Sequence, residues 1–346
     1  MSKFFEIDKI NLSKDKLFLI AGPCVLEENC EVELKIVEQV QKISERLDIP
    51  FIFKASYTKA NRTSANSYRG VGIEKGLKRL LRVKKEFGVP VLSDIHEVEE
   101  IKQASEVLDI LQIPAFLCRQ TSLLEGAASS GCAVNIKKGQ FMSPWDMKHA
   151  VSKVSSTSNK VMVTERGACF GYNNLVVDMR TFPVMKEFGC PVVFDGTHSV
   201  QLPGGGNGQT SGQRHMILPL VRAAVAAGCH GLFLEVHPDP SSSPSDSASI
   251  LPISQLESVL TIAKQIHTVV HEQEGKRVLF GDIVRSKNFA TLEDVEKALT
   301  IQRKMDEDGE EHKLLGIIML EQGMLNSDQL LELLKDLEEQ QGVKHY

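Results

Sequence analysis

The chain has 346 residues, of which 42% are hydrophobic, and its formal net charge is −5. This length suits one large domain with a small appendage, and the acidic balance excludes a general attraction to nucleic acid or to an anionic membrane. There is no apolar stretch of roughly 20 residues, no signal-peptide pattern and no paired spacing among the seven cysteines, so we expect a cytoplasmic protein without a membrane span or a disulfide framework.

Eight short apolar runs recur along the first 270 residues, and each ends in polar or charged side chains. They are residues 17–24, 50–56, 90–97, 110–116, 133–139, 161–167, 191–197 and 231–238. Because the runs are continuously apolar rather than alternating, they are typical of parallel strands covered on both faces. Helix-patterned segments such as 31–47 and 72–87 lie between them. Eight strand–helix units predict a (β/α)8 TIM barrel over residues 1–270, with a doubly wound open sheet as the alternative.

The tail has a different pattern. Segments 279–299 and 314–334 align with each other at an offset of 35 residues. The matched pairs are Leu279 with Leu314, Gly281 with Gly316, Ile283 with Ile318 and Leu299 with Leu334. In each copy Thr291 or Asn326 precedes acids and can cap the second helix. We therefore predict a polar linker at 271–276 and a small all-α domain of two helical hairpins at 277–346.

A barrel enzyme carries its active site at the C-terminal ends of its strands, and the ends of these runs are rich in reactive side chains. The run ends supply Cys24, Lys54, Asp94, Gln112, Lys137, Arg166, His198 and Glu235, and the following loops add Lys59, Asn61, Arg62, His237 and Asp246. For any one of these residues an ordinary surface charge is the alternative. Their recurrence at all eight run ends favours a functional site.

Five of these residues are cations: Lys54, Lys59, Arg62, Lys137 and Arg166. Cations gathered at one barrel mouth need anions to balance them, and phosphate and carboxylate groups match the hydrogen-bonding geometry of Arg and the point charge of Lys. We therefore expect an anionic ligand. Solvated lysines are the alternative, which is weakest for Lys54 because it directly follows Phe51, Ile52 and Phe53.

A second set consists of Cys24, His198, Glu235 and Asp246. A thiolate, an imidazole and two carboxylates suit a divalent metal such as Zn²⁺, Fe²⁺ or Mn²⁺. In a closed barrel the first, seventh and eighth strands are neighbours, which would bring these four residues together. A buried cysteine that only fills the core is the alternative for Cys24.

The same residues lie in segments that resemble the 3-deoxy-D-manno-octulosonate 8-phosphate synthases. The matching segments are AGPC (21–24), FKASYTKANRTS (53–64), SYRGVG (67–72), DIHE (94–97), LQIPAFLCRQTSLL (111–124), NIKKGQF (135–141), ERGACFGYNNLVVDMR (165–180), FDGTHSVQLPGG (194–205) and EVHPDP (235–240). The resemblance implies a (β/α)8 barrel that condenses phosphoenolpyruvate with D-arabinose 5-phosphate, a step in the synthesis of the lipopolysaccharide sugar Kdo. We also expect a homotetramer.

The resemblance further implies a role for each site residue. It assigns phosphoenolpyruvate to Lys54, Lys59, Gln112, Lys137, Arg166 and His198, the aldose phosphate to Asn61, Arg62 and Ser64, and sugar hydroxyls or metal-bound water to Asp94. Cys24 at the end of the first strand is typical of the metal-dependent members, with His198, Glu235 and Asp246 as the other ligands. On this basis Lys59, His198, Asp94 and Cys24 are the predicted catalytic residues.

Two other readings of the barrel stay open. A related 3-deoxy-heptulosonate 7-phosphate synthase would use erythrose 4-phosphate, but that family typically has KPRTS where this chain has KANRTS (59–64). A regulatory protein with an inactive barrel would be expected to have lost some of the cations and ligands. The tail weakly resembles small helical modules of bacterial secretion ATPases, so it is interpreted as an oligomerisation or partner-docking module, with nucleotide binding or a passive appendage as alternatives.

Overall fold

The structure is a computed structural model that describes residues 3–61, 67–169, 171, 173–206, 209–275, 280–307 and 312–341. Arg62 and Ser64, both predicted to bind substrate, lie outside the described residues. The described chain divides into two compact units, residues 1–270 and 271–346.

The first unit is a closed barrel of eight parallel strands. They are β1 (Phe18–Gly22), β2 (Phe51–Lys54), β3 (Val91–Asp94), β4 (Ile110–Ile113), β5 (Ala133–Lys137), β6 (Val161–Glu165), β7 (Val192–Asp195) and β8 (Gly231–His237). Each strand pairs with the next, and β8 pairs in parallel with both β7 and β1. This closure confirms the predicted (β/α)8 barrel and excludes the open doubly wound sheet.

Helices alternate with the strands around the barrel. They are α1 (Glu31–Leu47), α2 (Ile73–Phe87), α3 (Glu100–Ser105), α4 (Thr121–Ser129), α5 (Met147–Ser155), α6 (Thr181–Lys186), α7 (Ile217–Ala226) and α8 (Ile253–Gly275). Helix α2 illustrates the pattern, because Leu77, Leu80 and Val83 share one face and are all buried. It ends at Gly88, whose φ of 63° suits glycine at a helix C-terminus.

An N-terminal hairpin closes the barrel at the end opposite the strand C-termini. Its strands, Lys3–Ile7 and Ile10–Ser13, pair antiparallel. Phe5 and Leu12 from this hairpin pack with Phe18, Ile20 and other inward-facing strand residues to form the inner core. Sequence reasoning did not predict the hairpin.

Short elements extend the strand C-termini. They are the strands Ala168–Cys169, Leu175–Val176, Gln201–Gly206, Gln209–Gly212 and Leu251–Pro252, and the 3-10 helices Ala115–Leu117, Arg214–Met216 and Pro240–Ser242. The strands at 168–176 form one antiparallel hairpin and those at 201–212 form another. Both hairpins lie in the connections that follow β6 and β7.

The second unit contains two helical hairpins. Its helices are α9 (Phe280–Ser286), α10 (Leu292–Glu307), α11 (Leu315–Glu321) and α12 (Ser327–Gln341). Ile283, Val284, Ile318 and Met319 lie in its own hydrophobic core. The segment predicted as a linker, 271–276, is helical as far as Gly275 because it contains no proline and continues α8 with helix-compatible residues. Within the described residues, no helix is both long and apolar enough to cross a membrane.

Candidate active site

A cavity of about 330 Å³ opens at the C-terminal ends of the strands. Nine predicted site residues line it: Lys54, Lys59, Asn61, Asp94, Gln112, Lys137, Arg166, His198 and Asp246. Cys24 and Glu235 are not part of the lining, but both contact residues that are. His237 lies apart from the cavity, with its Nε2 atom 3.0 Å from Glu27 Oε1. The barrel thus brings nine of the predicted residues to one cavity and places Cys24 and Glu235 in contact with its lining.

The local fold at the end of β1 places Cys24 beside Lys54. A Cβ atom on Gly22 would lie 1.9 Å from the carbonyl oxygen of Lys54, so only glycine allows β1 and β2 to approach this closely. The Lys54 ammonium donates a hydrogen bond to the Cys24 carbonyl oxygen at 2.9 Å and another to Glu235 Oε1 at 2.7 Å. Lys54 therefore holds the ends of β1, β2 and β8 together.

Three of the predicted metal ligands form a compact group. The Cys24 sulfur and one carboxylate oxygen each from Glu235 and Asp246 all lie within 4.8 Å of one another. His198 Nε2 is 3.5 Å from Glu235 Oε1 and 3.9 Å from Asp246 Oδ2. Asp246 adopts φ of 53°, and its carbonyl oxygen accepts a hydrogen bond from the Ser249 N–H at 2.9 Å. One sulfur, one imidazole and two carboxylates at these separations are a donor set that fits a divalent metal.

The charges in this group depend on each other. Burial disfavours ionisation of Glu235, but His198 and Lys54 outweigh it and lower the pKa of Glu235 to about 2. Burial and the nearby Glu235 carboxylate raise the pKa of the Cys24 thiol well above its usual value. A thiolate at Cys24 therefore needs a compensating cation, which is the condition that a bound metal meets.

Asp195 is a site residue that sequence reasoning missed. This fully buried carboxylate pairs with the Lys137 ammonium through Oδ2, and the same atom lies 2.8 Å from His198 Nδ1. Burial lowers the pKa of Lys137 to about 8 despite Asp195, whereas His198 and Lys137 hold the pKa of Asp195 well below its usual value against burial. A carboxylate behind an imidazole fixes the ring for ligation. The signal in the sequence was its position as the last residue of β7.

Asp94 belongs to a second network that sequence reasoning saw only in part. Its carboxylate accepts a hydrogen bond from Ser56, and His96 Nε2 lies 3.2 Å from Asp94 Oδ2. The Lys59 ammonium donates to Ser56 Oγ at 2.9 Å. Burial opposes ionisation of Asp94, but His96 and Lys59 lower its pKa below the usual range. His96 follows Asp94 by two residues in the DIHE segment, so the sequence itself contains the signal for this contact between an imidazole and a carboxylate.

The remaining wall of the cavity carries amide side chains and one guanidinium. Asn135 donates to Gln112 Oε1 at 3.1 Å and accepts from Thr164 at 2.6 Å, which fixes the orientation of Gln112. Arg166 Nη2 donates to Gln201 Oε1 at 3.0 Å, while its buried Nη1 has no hydrogen-bond partner among the described residues. Because Arg166 lines the cavity, its guanidinium retains an unused donor beside the space where an anionic ligand could bind.

Comparison with known proteins identifies the group to which this barrel belongs. Residues 5–272 match the model of the DAHP synthetase I family. The chain belongs to that family. It is 55% identical over 261 residues to the 2-dehydro-3-deoxyphosphooctonate aldolase of Desulfotalea psychrophila, covering 75% of this chain and 93% of that protein.

Two further relatives carry the same name. The proteins of Trichlorobacter lovleyi and Geobacter metallireducens are 52% and 54% identical over 272 residues, which is 78% of this chain and 100% of each relative. 2-Dehydro-3-deoxyphosphooctonate aldolase is another name for the synthase that the sequence motifs resemble, so the predicted family is confirmed. The family model ends at residue 272, and each of these two alignments covers 78% of this chain and leaves the rest unmatched.

Proposed function

We propose that the chain condenses phosphoenolpyruvate with D-arabinose 5-phosphate and water, releasing 3-deoxy-D-manno-octulosonate 8-phosphate and inorganic phosphate for the synthesis of lipopolysaccharide Kdo. The observation that carries the proposal is the convergence of Lys54, Lys59, Lys137 and Arg166 on one cavity beside the Cys24 donor group. Both substrates are anions, and this cluster offers positive charge to each. The names of the relatives favour this product over the heptulosonate.

Phosphoenolpyruvate is assigned to the deeper part of the cavity. Lys54, Lys137 and Arg166 are at least 93% buried, so their charges act in a region of low dielectric where they attract a carboxylate and a phosphate strongly. Gln112 is held by Asn135 and can donate or accept at the same wall. We assign Lys59 and His198 to the same substrate, since both line the cavity.

The aldose phosphate is assigned to the outer part of the cavity. Asn61 lines the cavity and Asp94 faces it with an ionised carboxylate, which suits sugar hydroxyls. Arg62 and Ser64 complete this assignment through the resemblance of the KANRTS segment and lie outside the described residues. Together these groups position two like-charged substrates that would otherwise repel each other, and positioning supplies a large part of such a rate enhancement.

The bond changes follow from the substrates. C3 of phosphoenolpyruvate attacks the aldehyde carbon of the open-chain sugar, and the aldehyde oxygen becomes a hydroxyl by taking up a proton. Positive character develops at C2, where water adds and gives up a proton. Phosphate then leaves by C–O cleavage as the remaining hydroxyl at C2 loses its proton and becomes the ketone. The chain's cations neutralise the departing phosphate, and the ionised Asp94 carboxylate accepts hydrogen bonds from the sugar. Cys24, His198, Glu235 and Asp246 would hold Zn²⁺, Fe²⁺ or Mn²⁺, which when bound supplies Lewis acidity toward the aldehyde or the water.

The test is phosphate release from phosphoenolpyruvate with arabinose 5-phosphate or erythrose 4-phosphate, each with and without a chelator. We expect the five-carbon sugar to be preferred and the chelator to abolish release if the metal is catalytic. Cys24→Ser should lower metal content measured by elemental analysis, whereas Cys190→Ser, another buried cysteine, should not. Preference for erythrose 4-phosphate would contradict the proposed product. Lost metal with an unchanged rate would contradict a catalytic metal.

The setting of the enzyme is also a proposal. All seven cysteines are unpaired, which supports a reducing cytoplasm. We infer a homotetramer of barrels from the resemblance to the 3-deoxy-D-manno-octulosonate 8-phosphate synthases. The tail is proposed to dock a partner, with nucleotide binding as the alternative. Measurement of the particle mass in solution tests the tetramer.

A further inference from the structure

Lys138 and Glu165 form a buried ion pair immediately behind the active site. Their side chains are 2% and 1% exposed, and Lys138 Nζ lies 3.4 Å from Glu165 Oε2. Neither residue lines the cavity. Each is the chain neighbour of a residue that does, since Lys138 follows Lys137 and Glu165 precedes Arg166. The pair therefore lies behind two of the cations assigned to phosphoenolpyruvate.

The pair connects two active-site loops. Lys138 Nζ donates to the carbonyl oxygens of Gly139 at 3.4 Å and Met142 at 3.3 Å, in the loop after β5. Glu165 Oε1 accepts the N–H of Gly167 at 2.5 Å, in the loop after β6. The two loops also meet directly, because the Cys169 N–H donates to the Gln140 carbonyl oxygen at 2.9 Å.

Strand geometry separates the pair from the cations. Successive side chains along a strand point to opposite faces. Lys137 Nζ lies 3.3 Å from the centre of the Phe233 ring, which belongs to the inner core, so Lys137 points into the barrel. Lys138 takes the opposite side and continues the ladder with its N–H bonded to the Thr164 carbonyl oxygen at 2.8 Å. Lys138 and Glu165 can thus reach substrate only through their neighbours.

A buried ion pair with this geometry is expected to contribute little to the free energy of unfolding. Removing two charges from water costs several kcal/mol per ion, and the attraction offsets this only when the geometry is good. Here the three contacts of Lys138 Nζ are 3.3 to 3.4 Å long, which is beyond the usual range for strong hydrogen bonds. Burial also raises the pKa of Glu165 in spite of Lys138. An apolar pair in the same volume would cost less.

We propose that Lys138 and Glu165 are positioning residues that fix Lys137 and Arg166 for the anionic groups of phosphoenolpyruvate, an inference that rests on the proposed function. Arg166 has a buried nitrogen without a partner among the described residues. The hydrogen bond that Arg166 can donate to phosphoenolpyruvate depends on the position of that nitrogen. The pair fixes the chain on both sides of Arg166, at Glu165 and Gly167, and on the C-terminal side of Lys137, at Lys138 and Gly139.

The experiment measures the phosphoenolpyruvate Kd by calorimetry, and KM for each substrate, in three variants. Lys138→Met and Glu165→Gln each leave one buried charge unpaired, and we expect each to raise the Kd about tenfold, since small misplacements cost that much or more. The KM for arabinose 5-phosphate should stay within about threefold, because its assigned residues are elsewhere. The double variant leaves no lone charge but loses the connection between the loops, so its Kd should lie between the wild-type value and those of the single variants.

The matched control is Lys84→Met. Lys84 Nζ lies 2.7 Å from Asp109 Oδ1, and Asp109 precedes β4 at the other end of the barrel. Breaking this pair should lower the melting temperature and leave the phosphoenolpyruvate Kd unchanged. If the control raises the Kd as much as Lys138→Met does, the effect is a general loss of stability and the positioning role is wrong.

Two other results would overturn the inference. One is a wild-type phosphoenolpyruvate Kd in the folded single variants or in the double variant. If a single variant does not fold, the Kd of the double variant decides the test. The other is an equal rise of KM for both substrates. A wild-type enzyme that binds phosphoenolpyruvate but releases no phosphate with arabinose 5-phosphate would instead disprove the proposed function, while the Kd values would still decide the role of the pair.

Discussion

His230, at the end of the barrel covered by the N-terminal hairpin, makes the stability of the fold depend on pH. Its Nδ1 accepts the Val192 N–H at 2.9 Å, so the ring must be neutral there. Burial, together with the positive charges of Lys186 and Lys14, lowers the pKa of His230 to about 3. Because this pKa is depressed, His230 is protonated in the unfolded chain but not in the folded chain between pH 6.5 and about 3. The contribution of His230 to stability is complete above pH 6.5 and is lost as the pH falls toward 3.

We therefore predict that His230→Asn flattens the acid side of the stability profile. The amide oxygen of Asn can accept the Val192 N–H but does not titrate. Between pH 6.5 and 4 the wild-type free energy of unfolding should fall by up to about 1.4 kcal/mol per pH unit more steeply than that of the variant. Urea unfolding at several pH values measures this difference. Parallel profiles for the two proteins would show that His230 does not titrate between the folded and unfolded states.

The active-site residues show what sequence can predict at this scale. Cys24 and His198 can be predicted as site residues because their chemistry is rare and specific at strand ends. Asp195 was missed because an acid near a histidine is common, and only the fold shows that it is buried between Lys137 and His198. Nothing in the local sequence distinguishes Lys138 from an ordinary solvated charge beside Lys137. Its burial depends on the loops after β5 and β6, which no local pattern specifies.

The N-terminal hairpin is the element that completes the barrel core. Leu12 is 1% exposed and packs among inward-facing strand residues. We predict that Leu12→Ala lowers the free energy of unfolding by roughly 2–5 kcal/mol, the usual cost of a large-to-small change in a core. Ile10→Ala, at a half-buried position of the same hairpin, should cost less than half as much. The KM values should not change, since the hairpin lies opposite the active site. A loss below about 1 kcal/mol would contradict a core role.

Elements were predictable where a local rule fixes them. Thr291 was expected to cap a helix, and its hydroxyl accepts the Asp294 N–H at 3.2 Å while its own N–H donates to Asp294 Oδ2 at 2.9 Å. Asn326 and Gln329 make the same reciprocal bonds in the second copy, both at 2.9 Å. The N-terminal hairpin escaped prediction because FFEI and INLS are short, and their apolar side chains find partners only inside a barrel that forms from distant strands.

At the scale of the whole molecule, eight covered strands in succession leave few alternatives to a closed barrel. The sequence could not decide closure by itself, because an open sheet would show the same apolar runs. Closure depends on the pairing of β8 with β1, in which Gly231 to Glu235 register with Phe18 to Gly22 across more than 200 residues. Gly231 is required there, since a Cβ atom would lie 2.5 Å from the Phe18 ring.

The boundary between the two units leads to a prediction about the whole chain. Each unit has its own hydrophobic core. The family model ends at residue 272, and the relatives of Trichlorobacter and Geobacter are matched over their whole length by 78% of this chain. A chain that ends at Gly275 keeps all of α8 and every site residue. We expect its kcat and its KM values to stay within about twofold of those of the full chain, as for an autonomous domain. Phosphate release and light-scattering mass measure both activity and assembly.

A full-length control separates loss of the tail from damage to it. In Gly281→Val the added side chain has no room, because even a Cβ atom would lie 2.8 Å from Val295 Cγ1. This substitution should unfold or loosen the second unit and leave the activity of the barrel unchanged. If both variants lose more than about tenfold in kcat/KM, or if both dissociate into smaller particles, the tail contributes to the catalytic assembly and is not an independent module. Retained activity and mass in both would exclude a role of the tail in catalysis or assembly, because these would then be properties of residues 1–275. Partner docking would stay the proposed role of the tail, with nucleotide binding or a passive appendage as the alternatives.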